Sequence, residues 1–186
     1  MTNFDFKDFE SVFKEEVKIN YNRFISENKE KLPYIFVITA NDYIVMDTPE
    51  CLNFCGNTMS ELTQNEISTD SDIYYLPEEW TDTYFSENSF PKANTLIFEF
   101  MTQNEKLFAD ENHFYTKDFL SFRKELFYQI VDTLESLKNE QFYSECYNGK
   151  MLINFYVRDY FEDEEMYEIF ERLNSKEDGV KFREFM

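Results

Sequence analysis

Apolar positions recur at helical spacing near the start of the chain. Phe6, Phe9, Phe13, Val17 and Phe24 stand three or four residues apart or at multiples of that step, with charged residues between them, which predicts an amphipathic helix over residues 5–28. Leu32-Pro33 ends it, because the residue before a proline is pushed out of the helical region. Tyr34-Ile35-Phe36-Val37-Ile38-Thr39 is then a short β-branched and aromatic run, the pattern of a strand. Its unbroken apolar character points to a central strand covered on both faces. Asn41-Asp42 supplies a turn, and Tyr43-Ile44-Val45-Met46 returns as the second arm of a hairpin.

Residues 50–66 mix Leu52, Phe54, Met59 and Leu62 with polar positions and carry Gly56-Asn57, a pattern read as one broken helix. Ser68 to Asp72 is a polar loop leading into Ile73-Tyr74-Tyr75-Leu76. Pro77-Glu78-Glu79-Trp80 has the form of a helix start, with proline in the first turn and acids favoured by the helix dipole. Pro91 to Lys106 reads as a helix with Leu96, Ile97, Phe100 and Met101 apolar. Thr116 caps the clearest one, in which Phe119, Phe122, Leu126, Ile130, Leu134 and Leu137 trace a single face. Met151 to Val157 is a last strand, reached through the turn Asn148-Gly149. Met166 to Leu173 is a last major helix with Ile169, Phe170 and Leu173 inward, and Val180, Phe182 and Phe185 suggest a terminal segment packed back on the body. No repeat, Gly/Ser linker or low-complexity tract divides the chain. The expectation is one α+β domain over residues 1–186. Its small, mostly antiparallel sheet, a hairpin near 34–47 plus a strand near 151–157, packs against several α-helices.

Composition narrows the function. The 186 residues include 22 Phe, 13 Tyr and 1 Trp, too many aromatics for a disordered acidic tail. AT-rich codons would favour the same residues, so the phenylalanines read as core first and binding surface second. Eighteen Lys and Arg against 38 Asp and Glu leave a net charge of −20. That argues against nucleic acid, whose binding needs cations to replace counterions, and against anionic membranes. Three glycines leave no room for a phosphate-cradling loop. No signal peptide is visible, and the densest apolar run is far shorter than the ~18 residues that cross a bilayer. Cys51, Cys55 and Cys146 are an odd number in a chain too large to need staples, so reduced thiols and a cytoplasmic location are expected.

Candidate chemistry is sparse. His113 is the one histidine, its flanks read as a loop entering the long helix, and no nucleophile elbow is present. Cys51-x-x-x-Cys55 with Cys146 and His113 has loose spacing for a zinc site, and cysteine also serves as a small buried hydrophobe. Asp70-x-Asp72, and Asp159 with Glu162-Asp163-Glu164-Glu165, lack the glycine of a calcium loop. No catalytic motif emerges and no cofactor is expected. One distribution stands out: the sixty residues between Lys31 and Lys92 hold no Lys or Arg but eleven acids. A shared face of such acids would attract cationic partners, while the plainer reading is solubility for an aromatic-rich protein.

Several segments, taken in order, resemble the bacterial domain-of-unknown-function family numbered 4303. They are the strand Tyr34 to Thr39 with its following turn, Tyr75-Leu76-Pro77-Glu78-Glu79-Trp80, a long helix, and Leu152-Ile153-Asn154-Phe155-Tyr156-Val157 with Arg158-Asp159. Glu171-Arg172-Leu173-Asn174-Ser175 closes the series, with Ser175 where proline is more usual. The resemblance implies a small α+β domain of the bacterial cytoplasm, and it carries no catalytic residue over. Acidic single-domain proteins of this kind are reminiscent of immunity proteins that neutralise a neighbour's toxin.

The leading expectation is a non-enzymatic acidic binding protein, of inhibitor or immunity type, that covers a basic surface of a partner protein. Glu78, Glu79 and Asp82 would guide the encounter and Trp80 would anchor it, core packing being the other role open to the tryptophan. The alternative is a metal-dependent hydrolase using clustered carboxylates, recognisable by acids converging in one pocket. A third reading is a structural subunit of a larger assembly.

Overall fold

The computed structural model describes residues 3–41, 50–69, 71–80, 84–86, 88–110, 114–144 and 151–185. Pro33–Ala40 forms β1, buried from Pro33 to Ile38 with nothing of Ile35, Phe36, Val37 or Ile38 reaching solvent, so the central, doubly covered strand is borne out. Its antiparallel neighbour is β2, Leu52–Thr58, and its parallel neighbour is β4, Leu152–Tyr156. The short β3, Tyr84–Ser86, pairs antiparallel with β2. The order β3-β2-β1-β4 is a mixed, mostly antiparallel sheet in an α+β fold.

β2 corrects the reading of residues 50–66 as one broken helix: the stretch is a strand followed by a single short helix, α2, Met59–Gln64. The reason is tertiary. Leu52 and Phe54 join the core under the first helix while Cys55 joins the opposite one, a period of two that polar Asn53 and Asn57 disguise. Gly56 sits where a Cβ would lie 2.4–2.8 Å from the Phe24 ring, so the absence of a side chain lets helix and sheet meet. The hairpin arm expected at Tyr43–Met46 and the turn at Asn148-Gly149 lie outside the described residues.

One face of the sheet is covered by α1 (Phe6–Asn28), α3 (Pro91–Gln103) and α5 (Lys117–Asn139). All six apolar positions read from the α5 pattern are buried, and the Thr116 hydroxyl accepts from the Phe119 N–H as the expected cap. The helix expected over Pro91–Lys106 breaks at Asn104 into α3 and the single turn α4, Glu105–Phe108. The other face carries α2, the chain from Asp72 to Trp80, α7 (Lys176–Phe185) and one side of α6 (Asp163–Leu173). Ile169, Phe170 and Leu173 of α6 are inward as expected, and so is Phe182, but Val180 is 52% exposed. A step of three or four from Phe182 does not reach position 180, which explains that outward turn.

Two buried asparagines tie helices to strands. Asn94 of α3 accepts from the Leu52 N–H at 2.7 Å and donates to the Leu52 carbonyl at 2.9 Å. Asn174, at the end of α6, does the same to Ile153 at 2.8 and 2.7 Å and also donates to the Phe170 carbonyl. Each side-chain amide continues the hydrogen bonding of a strand where, among the described residues, no further strand takes up those groups.

Candidate functional site

The carboxyl ends of β1 and β4 point the same way, and a recess of about 430 Å³ opens there. Thr39 and Ala40 close β1, Tyr156 closes β4, and Arg158 follows two residues later. Cys55 of β2 contributes to the wall, and Pro77 and Glu78 border the recess from a neighbouring turn. Crevices beyond the carboxyl ends of parallel strands are where open α/β sheets place their ligands.

Aromatic side chains hold that turn in place. Tyr34 of β1 stacks on Tyr74 with ring centres 4.4 Å apart and donates its hydroxyl to the Tyr74 carbonyl at 2.9 Å. Tyr75 meets Phe170 and Phe182 edge-on. The Trp80 indole N–H donates to the Ile73 carbonyl at 2.6 Å. Pro77–Glu79 is therefore one 3₁₀ turn and not the start of a longer helix as expected, because Trp80 turns back into the core with extended backbone.

At the mouth of the recess the Glu78 carboxylate lies 3.5 Å from the Arg158 Nε, and Asp159 lies 3.6 Å from the same nitrogen. Burial first, and then the nearby Glu78 carboxylate, hold the Tyr156 phenol above its ordinary range. Two carboxylates and one guanidinium leave the mouth with one surplus negative charge. Burial pushes the Cys55 thiol up to about 12, so at neutral pH it is a protonated wall residue and not a nucleophile.

The residues expected to act together are divided by the fold. Glu78 and Glu79 are exposed side by side on the turn, whereas Trp80 is only 7% exposed and packs in the core beneath them. Asp82, His113, Cys146 and Asp70 lie outside the described residues. Cys51 and Cys55 are both buried, and among the described residues no group of three or more His, Cys, Asp and Glu is arranged to hold a metal ion. In the acidic run after β4, Glu164 pairs with Arg183 at 2.7 Å and Glu165 accepts from the Tyr128 hydroxyl at 3.0 Å. Of the acids between Lys31 and Lys92 that are described, Glu50, Glu66, Asp72, Glu78 and Glu79 are exposed, while Glu61 is half-buried beside Lys31. No helix among the described residues is long and apolar enough to cross a membrane.

Tyr156 and Arg158 were not singled out from the sequence. Their signal was the parallel pairing of β1 with β4, which more than a hundred intervening residues conceal. The segments on which the family resemblance rests nevertheless meet here: Pro77 and Glu78 come from one, Tyr156 and Arg158 from another.

The model of the family described as "Domain of unknown function (DUF4303)" matches residues 6–175. The chain belongs to that family. No curated protein and no solved structure matches it. In this DUF4303 member the closing segment Glu171 to Ser175 is architectural. Arg172 bridges Asp132 and Glu135 of α5 at 2.6 Å each, Leu173 is core, and Asn174 holds Ile153.

Proposed function

We propose that this protein is a non-enzymatic acidic binding protein of the cytoplasm, of inhibitor or immunity type, which covers a basic surface on a partner protein. The observation that carries the reading is the placement of Glu78 and Glu79. They are exposed together on a turn fixed by core aromatics, beside a recess with a surplus negative charge. They also belong to a sixty-residue stretch without a single cation, in a chain of net charge −20. Fixed carboxylates of this kind act mainly on encounter, raising the association rate with a cationic surface. Trp80 serves the site from below, by fixing the turn.

The double substitution Glu78→Lys with Glu79→Lys tests the reading. Association with the basic partner at low salt is expected to slow by about tenfold or more. An unchanged association rate would reject the proposal.

A further inference from the structure

We infer that the recess at the carboxyl ends of β1 and β4 is a socket for one lysine or arginine side chain of the partner, with Arg158 as a built-in placeholder at its mouth. The inference rests on the partner-binding reading above and names the chemistry of its contact. The recess is lined by Ala40, Pro77, the Tyr156 ring and the protonated thiol of Cys55, surfaces suited to the methylene stem of a long cationic side chain. Glu78 stands at the rim with its carboxylate ready to receive the charged head, and the Tyr156 ring adds an aromatic face for a cation.

Charge decides between ligand classes. An anion would meet Glu78 and Asp159 at the mouth and a molecule of net charge −20 behind them. A cation meets opposite charge at the rim on Glu78, while the carboxylate of Asp159, 90% exposed, keeps its water.

Arg158 already occupies the position such a cation would take, but loosely. Its side chain is 76% exposed, and its contacts at 3.5 and 3.6 Å are longer than a charge-assisted hydrogen bond of about 2.8 Å. An exposed pair of this kind is held by less than about 1 kcal/mol, so an incoming guanidinium displaces it at small cost.

The test needs no partner. Nα-acetyl-arginine methylamide is titrated into the full chain and followed by amide resonances, with the citrulline analogue as the uncharged control. Saturable shifts at Thr39, Ala40, Glu78 and Tyr156 are expected with the arginine probe alone. Glu78→Gln should weaken binding about tenfold, and Arg158→Gln should tighten it about threefold by removing the competitor. Absence of saturable shifts, equal binding of citrulline, or indifference to Glu78→Gln would overturn the socket. Weaker binding in Arg158→Gln would overturn the placeholder. Because the probe replaces the partner, these outcomes stand apart from the association experiment: slowed association of the Glu78/Glu79 double variant without probe binding would retain the partner and reject the socket.

Discussion

Gly56 is the residue at which α1 and the sheet come closest, and its neighbour Phe24 cannot swing away. That ring is fully buried, with the Phe36 and Phe54 ring centres 6.2 and 6.3 Å from its own. Gly56→Ala is therefore expected to destabilise the protein by about 1–3 kcal/mol through overpacking, read as a lower urea midpoint. Asn174→Ala should cost about 2–3 kcal/mol in the same measurement, since it strips partners from the buried Ile153 N–H and carbonyl. Neither role was visible in the sequence. Gly56 read as a helix interruption, and Asn174 as one letter of a family-like segment, because both depend on what the rest of the chain brings against them. Trp80 had two roles open to it for the same reason: an indole beside acids looks alike as an anchor and as core. Glu78 and Glu79 are exposed, as guiding a partner would require, since acids just after a proline have few places to go except solvent whether a helix start or a single turn follows.

At the scale of elements, legibility followed locality. α1 and α5 each show one apolar stripe over many turns, and the expected cap Thr116 lies three residues from the N–H it accepts from, while Asp5, read as the first residue of its helix, caps α1 instead. β1 announced itself by an unbroken β-branched and aromatic run. β2 did not, because polar Asn53 and Asn57 alternate with its inward residues and Gly56 breaks the apolar face. The start of α3 is a further non-local case. Its backbone N–H groups at Lys92 and Ala93 donate to the buried Glu16 carboxylate of α1, both at 3.0 Å. Pro91 opens that helix and no local side chain caps it, so a residue 76 positions away does the work. Glu16→Ala should lower stability by about 1–2 kcal/mol, with hydrogen exchange in the first turn of α3 accelerated more than in α5.

At the scale of the whole molecule, strongly basic pH and added salt act on stability in opposite directions. Burial raises the thiols of Cys51 and Cys55 from 9.0 to about 12, and it raises the phenols of Tyr34, Tyr74 and Tyr143 as well. The folded state favours their neutral forms, so stability is intact below pH 9 and falls as pH rises from 9 towards 12. Each group contributes a slope of up to about 1.4 kcal/mol per pH unit within that window, measurable by urea unfolding at stepped pH. In the neutral range the surplus of carboxylates repels itself, and that repulsion weakens with screening; the thermal midpoint should rise as salt is added. Part of that charge, on Glu78 and Glu79, is exposed beside the recess, and one measurement tests its proposed role directly. The chain and its Glu78→Lys, Glu79→Lys variant are each used to capture partners from lysate of the source cells at ~0.05 and ~0.5 M salt, which shortens the screening length severalfold. The account predicts one basic protein retained by the unaltered chain at low salt, released at high salt and lost from the variant. Equal retention by the variant, or no basic protein at either salt, would contradict it.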